Sequence, residues 1–307
     1  MTDYKNIAIL IPCHNEAETV KQVVTDFISE FQSSLVYVYD NCSTDNTQQI
    51  ARDAGAIVRI ENSKGKGNVV RRMFADVEAD FYILVDGDHT YDSKVAPEML
   101  KKLIDQDIDM LNIARIGNDH SYRAGHRLGN IMLTKTVKFI FGSGLNDMLS
   151  GYRVFSRRFV KTFPARSNGF EIETEFAVHS LEMKIPIGES SAEYIERPSG
   201  SVSKLSTYSD GFKILLMITR LFFLVRPIAS FSIIAILFAF ASVAVGWVQV
   251  LRPLLDDGMI TKYPSVILSS SLMILSIFFF MIGIVINSIS NLRKDQFRLN
   301  YLSFSKK

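Results

Sequence analysis

Cysteine, tryptophan and net charge are all scarce in this chain. Its 307 residues include two cysteines, Cys13 and Cys42. These are too few for a disulfide framework and fit a reducing compartment, so no disulfide is expected. The formal net charge is only +2; there is no global electrostatic pull toward nucleic acid, and none is expected as a partner. Residues Met1-Thr2-Asp3-Tyr4-Lys5 lack the apolar segment of a signal peptide. The three spaced glycines of a dinucleotide fingerprint are missing, and Lys64-Gly65-Lys66-Gly67 does not end in the Gly-Lys-Ser/Thr of a phosphate loop. Charge disappears altogether from residues 227–250 and 265–292. Each run exceeds the ~20 residues that cross a ~30 Å hydrocarbon core, and two in tandem point to transmembrane helices rather than buried core helices. Lys213, Arg220 and Arg226 precede the first run, and Arg293, Lys294, Arg298, Lys306 and Lys307 follow the second. The loop between holds only Arg252 and Lys262, against Asp256 and Asp257. That bias places both termini in the cytoplasm.

Ahead of the spans, strand and helix patterns alternate. Ile7 to Ile11 reads as a strand ended by Pro12, and residues 16–31 as a helix with Val20, Val23, Val24, Phe27, Ile28 and Phe31 on one face. Strand patterns recur at 35–39, 57–60, 81–85 and 109–115. Ser43 or Thr44 is placed to cap a helix over 49–54, and another helix follows Gly67. This order predicts an α/β fold: a doubly wound, mainly parallel sheet with right-handed crossovers. Residues 207–226 interleave apolar and basic side chains and fit a helix lying in the membrane interface.

Three polar loops, 12–16, 40–47 and 86–92, leave strands at one edge of that sheet, where open α/β sheets bind ligands. In the third, an apolar strand stops at Asp86-Gly87-Asp88. Extended backbone continued through this triplet would point both carboxylates the same way. Hard oxygen donors there suit Mg²⁺ or Mn²⁺ carrying a diphosphate. Asp40 sits directly at a strand end, and the glycine–lysine loop at 64–67 offers backbone amides to phosphate.

Taken together, Ile11-Pro12-Cys13-His14-Asn15-Glu16, Asp40-Asn41-Cys42-Ser43-Thr44-Asp45-Asn46-Thr47, Lys64-Gly65-Lys66-Gly67 and Asp86-Gly87-Asp88 resemble the nucleotide-sugar domain of family 2 glycosyltransferases with the GT-A fold. The resemblance implies that Pro12, His14 and Glu16 border the nucleoside, Asp40 contacts the base, and Lys66 joins the nucleotide-sugar site. It further implies that Asp88 ligates the metal with Asp86 beside metal or sugar. Asn41 stands where the pattern usually has a second Asp. Downstream, Arg115, His120, Arg123, His126, Arg127, the run from Asp147 to Phe155, the run from Gly169 to Glu175, and the run from Arg197 to Ser206 are similar to the polyprenyl-phosphate branch. That branch includes dolichyl-phosphate mannose synthases. The likeness implies a lipid-phosphate acceptor held by Arg127, Arg153, Ser203 and Lys204, with Arg115 and Arg123 as further candidates; Arg suits phosphate bidentately. Glu171, Glu173 and Glu175 spread over more than one helix face, so at most one or two reach the site.

The implied reaction is metal-dependent, inverting transfer of a sugar from a nucleoside diphosphate sugar to polyprenyl phosphate, with Asp86, Asp88 and Asp147 as catalytic candidates. Two spans favour UDP-glucose or a related UDP-sugar. Alternatives are a GDP-mannose donor, a glycan or protein hydroxyl acceptor served by Asp147, Glu173 or Glu175 as base, and a scaffold without chemistry. A processive synthase would carry Gln-x-x-Arg-Trp, whereas Trp247, the only tryptophan, lies inside a span. The expected organisation is a cytoplasmic catalytic domain (1–206), the interfacial helix (207–226), a span (227–250), a short outer loop (251–264), a second span (265–292) and a basic cytoplasmic tail (293–307). The spans offer a route to a homo-oligomer.

Overall fold

The computed structural model describes residues 6–32, 34–116, 134–139, 145–169, 171–195, 216, 219–220, 222–223, 225–260 and 262–304. The chain divides into two compact units, one of residues 1–215 with 297–307, the other of residues 216–296.

The first unit is built on a seven-stranded sheet. In chain order the strands are β1 (Ile7–Cys13), β2 (Leu35–Asp40), β3 (Ile57–Ile60), β4 (Phe81–Leu84), β5 (Met110–Ile116), β6 (Arg153–Ser156) and β7 (Ile187–Glu193). Across the sheet they lie in the order β3-β2-β1-β4-β6-β5-β7. β6 alone runs against its neighbours, antiparallel to both β4 and β5, while the other pairings are parallel. The expected mainly parallel, doubly wound sheet is therefore present.

Strand alternation divides the core into two layers. Ile7, Ile9, Ile11, Val36, Val38, Ile83 and Val154 face α1 (Val20–Glu30) and α4 (Ala96–Asp105), which contribute Val20, Val24, Phe27, Met99, Leu100 and Leu103. The opposite layer is aromatic. Phe74 of α3 (Lys66–Asp76), Phe155, Phe159 of α5 (Arg157–Thr162), Phe163 and Phe176 of α6 (Ile172–Met183) pack with ring centroids 4.7–6.2 Å apart. Such pairs contribute about 0.5–1.5 kcal/mol each beyond their buried area. The short helix α2 (Thr47–Asp53) follows β2.

Pro12 does not end β1, which runs on to Cys13. The Leu10 carbonyl accepts Val85 N–H and the Cys13 carbonyl accepts Asn41 N–H. By alternation the nitrogen of Pro12 faces the β4 side, where the ladder has already stopped at Leu84. Its missing donor costs nothing there.

In the second unit, α7 (Pro227–Gly246) continues through a π-helical turn at Trp247–Leu251 into α8 (Arg252–Asp257), and α9 (Tyr263–Ser303) follows. Both helices are long and apolar enough to cross a membrane, with mean hydropathy 2.5 over the best window of each. α7 and α9 pack antiparallel on small residues. Ser242 Oγ donates to the Ser269 carbonyl (2.7 Å), Ser269 Oγ returns a bond to the Ser242 carbonyl (3.0 Å), and Ser276 Oγ donates to the Ala235 carbonyl (2.8 Å). A methyl group at Gly283 would sit 2.8 Å from Phe231 Cβ, so glycine is what lets the backbones approach.

The expected basic tail is not a separate tail. α9 is 41 residues long, about 60 Å, and its last turns, from Phe297, belong to the first unit. There Tyr301 OH donates to Asp109, which is fully buried and also accepts from Arg158 (2.6 Å) and Ser156 Oγ (2.7 Å). Arg158 lies 4.1 Å above the Tyr301 ring, and Phe297 meets His179 edge to face at 5.7 Å.

Candidate functional site

β1, β2 and β4 run in the same direction and end together, so their three loops share one edge. Each loop contains a non-glycine residue at positive φ: Asn15 (54°), Cys42 (61°) and His89 (56°). Such backbone is uncommon outside glycine and concentrates at functional loops. The first two loops are stitched together. Ser43 Oγ accepts from Asn15 N–H (2.8 Å), Asn15 Oδ1 accepts from Thr44 N–H (2.7 Å), Thr47 Oγ1 accepts from Glu16 N–H (2.9 Å), and Asp45 accepts from Ala17 and Thr47 amides. Ser43 and Thr44 thus serve the neighbouring loop rather than cap a helix; α2 begins at Thr47, with Asp45 bonded to its first amide. Partial burial would raise the Asp45 carboxyl, but the Thr47 hydroxyl and amide and the Ala17 amide outweigh it and hold it below the usual range.

Asp40 closes β2 and is fully buried. Its Oδ2 accepts from Ser43 N–H (3.1 Å) and Gln48 Nε2 (2.9 Å), while its Oδ1 is buried without a partner. Asn41 ties this loop to the glycine–lysine loop. Its Oδ1 accepts from Gly65 N–H (2.6 Å), and its Nδ2 donates to the carbonyls of Glu61 (3.0 Å) and Ser63 (2.9 Å). Gly65 has φ of 128°, and a methyl group there or at Gly67 would strike the backbone of Asn168 or Ser167. Glycine is therefore required by space at both positions, and at Gly65 by conformation as well.

The extended backbone expected through Asp86-Gly87-Asp88 is absent: β4 stops at Leu84 and the chain turns, so the two carboxylates acquire different partners. Asp86 is paired with Lys66, whose ammonium also binds Glu173 at 2.6 Å. Asp88 is 4% exposed and accepts from Thr90 Oγ1 at 2.6 Å. Gly87 lies against Cys13, where a Cβ would come within 2.5 Å of Sγ, and its carbonyl accepts from Thr19 Oγ1 (2.7 Å). Gly151, just ahead of β6, leaves no room for a Cβ beside the Asp86 carboxylate.

Burial alone would lower the Lys66 ammonium, but Asp86 and Glu173 outweigh it and hold its pKa above the ordinary lysine range. Glu173 goes the other way: burial pushes its carboxyl up more than Lys66 draws it down. Of the three glutamates at 171–175, Glu173 alone joins this cluster, since Glu175 accepts from the Arg166 and Ser167 amides. The sequence patterns assign no role to Thr19, Asn41, Thr90 or Gly151; polar and glycine residues in the loops between strands and helices are too common to single out.

Two acceptor-side expectations change. Arg153 is fully buried inside the sheet layer. It donates to the carbonyls of Ser150 (3.2 Å), Met148 (2.9 Å) and Glu173 (2.9 Å) and lies 5.2 Å from the Phe176 ring. Its guanidinium organises the core instead of facing a phosphate. Asp147 is held bidentately by Arg115 (2.6 and 2.9 Å), an arrangement that blunts it as a base. Arg127, Ser203 and Lys204 lie outside the described residues, as do Arg123 and His126. No disulfide links Cys13, which is buried, to Cys42, which is exposed. Pro12, His14 and Glu16 border the same edge, at the end of β1 and in its loop.

Among the described residues no three His, Cys, Asp or Glu side chains converge to cage a metal. Asp88 with Asp86 nonetheless fits Mg²⁺ or Mn²⁺ of the kind held by one or two carboxylates and completed by substrate phosphates.

A mainly parallel sheet with one reversed strand, carrying Asp40, Lys66 and Asp86-Gly87-Asp88 at one edge, is a GT-A-type sugar-transfer scaffold. The model of glycosyl transferase family 2 matches residues 8–163, and the chain belongs to that family. Among its relatives, glycosyltransferase AglJ of Haloferax volcanii is 34% identical over 253 residues, covering 78% of each chain. A dolichyl-phosphate hexose transferase of the same organism is 26% identical, covering 69% of this chain and 92% of its own. In fold, the chain is similar to glucosyl-3-phosphoglycerate synthase of Mycobacterium tuberculosis, solved with Mn²⁺, UDP-glucose and phosphoglyceric acid. That match has a TM-score of 0.59 and 19% identity, covering 69% of this chain and 79% of the other.

Proposed function

We propose that this glycosyltransferase moves a sugar, glucose or a related hexose, from a UDP-sugar to a polyprenyl phosphate at the cytoplasmic face of a membrane. The observation that carries the donor half is Asp40: a buried carboxylate at a strand end, one oxygen satisfied by its own loop and the other without a partner, suits the ring N–H of uracil. The acceptor half is supported by likeness to the dolichyl-phosphate hexose transferase and by two apolar helices in the same chain.

Asp88 and Asp86 would hold the divalent cation, which when bound supplies charge neutralisation for the departing nucleoside diphosphate. The chain's own residues do the rest. Asp40 selects the base, and the Asn41-braced loop positions Lys66 beside Asp86. A lipid monophosphate with second pKa near ~6 is already ionised at neutral pH, so its oxygen attacks the anomeric carbon without a strong base. The carbon–oxygen bond to the diphosphate breaks as the new one forms, and the configuration inverts. Arg127, Ser203 and Lys204 stay candidates for the acceptor phosphate.

The test is a panel of UDP- and GDP-sugars with polyprenyl phosphate and Mg²⁺ or Mn²⁺, reading label in an organic-extractable lipid. UDP-glucose or a near relative is the expected donor; label that enters only a water-soluble glycan or protein rejects the lipid acceptor. Asp88→Ala is expected to abolish transfer while the protein remains folded and membrane-bound.

A further inference from the structure

Lys66 is a single ammonium shared by two carboxylates on different elements. It opens α3, its side chain is 8% exposed, and it binds Asp86 on the β4 loop and Glu173 in the first turn of α6. Glu173 is equally enclosed, with a side chain 7% exposed. Its Oε1 takes Lys66, its backbone carbonyl takes Arg153, and its Oε2 is buried with no partner. Lys66 is thus divided between two carboxylates, with the buried Arg153 guanidinium at the backbone of the second, and the first, Asp86, stands two residues from Asp88. Asp86 alone would pair the ammonium, so a second buried carboxylate on it calls for a separate reason.

We propose that Glu173 is a positioning residue that, through Lys66, sets how tightly the Asp86–Asp88 pair holds a divalent cation. This rests on the donor-site reading above. An ammonium seated wholly on Asp86 opposes a cation approaching the same carboxylate; one drawn partly to Glu173 opposes it less. On the donor-site reading Lys66 also meets the donor's diphosphate. The three residues therefore trade metal affinity against nucleotide affinity.

The arrangement makes predictions of opposite sign, which a merely structural role does not. In the full-length protein, Mn²⁺ binding is followed by the electron paramagnetic resonance of free Mn²⁺, and UDP binding by calorimetry. Glu173→Gln is expected to weaken Mn²⁺ binding on the order of tenfold. Lys66→Met is expected to tighten Mn²⁺ binding without nucleotide by a similar factor while weakening UDP. The double variant restores the original net charge and is expected to fall within about threefold of wild type for Mn²⁺. If both single variants shift Mn²⁺ the same way, or Glu173→Gln does not shift it, the inference is overturned. Should Lys66→Met fail to fold, the double variant still decides: recovery relative to Glu173→Gln supports the inference, and further loss overturns it. Wild type that binds neither Mn²⁺ nor UDP rejects the donor-site reading itself, and this inference with it.

Discussion

Asn41 occupies the position where the family pattern usually has aspartate, and its contacts give the reason. Its amide nitrogen donates to two carbonyls, Glu61 and Ser63, while its oxygen accepts from Gly65. A carboxylate could keep only the last of these and would face two carbonyl oxygens. Asn41→Asp is therefore expected to cost about 1–3 kcal/mol of stability and to weaken UDP binding by loosening the loop that carries Lys66. Chemical denaturation and nucleotide titration check both effects. At Asp45 the expectation concerns pH. Its folded-state carboxyl lies below the usual range, so its contribution is present above the unfolded Asp pKa and is lost as pH falls through the folded one. Asp45→Ala should flatten the stability-versus-pH curve on that acid limb only, as read by thermal unfolding across a pH series.

The elements most legible in the sequence are those whose apolar period is local. β1, β2, β4 and the faces of α1 and α3 were readable because Val, Ile and Phe recur at fixed spacing against polar neighbours. Others depend on distant partners. β7, Ile187-Gly188-Glu189-Ser190-Ser191-Ala192-Glu193, has almost no strand-type side chains and exists because β5 offers it an edge over seven paired residues. Arg153 was expected to hold the acceptor phosphate, yet the reversed strand β6 carries it into the core beside Phe176, a placement no local pattern encodes. The shared edge of the three loops was legible, since a parallel sheet forces it. The branching of Asp86 and Asp88 to separate partners was not, because Lys66 and Glu173 stand 107 positions apart. The end of α9 was read as a tail, since only the folded domain shows what Tyr301 touches. Tyr301→Phe removes one of the donors to the buried Asp109 carboxylate and is expected to destabilise the catalytic unit by about 1–3 kcal/mol, measured by denaturant unfolding in detergent.

For the molecule as a whole, the charge-free runs foretold two apolar helices, and the flanking cations give an orientation still to be measured. A membrane-impermeant thiol reagent applied to intact cells is expected to label Met259→Cys, in the segment joining α8 to α9. Exposed Cys42 of the same protein should react only after permeabilisation. Labelling of Cys42 first would invert the topology. The division into units also bears on how the protein comes into being. Residues 297–304 complete the catalytic unit, yet they are synthesised after all of the apolar hairpin between 216 and 296. As the first strands leave the ribosome, Asp109 and Arg158 have no Tyr301 to cover them. The unit that carries the candidate site is complete only once both long apolar helices have been synthesised, so its last packing step comes at the very end of translation.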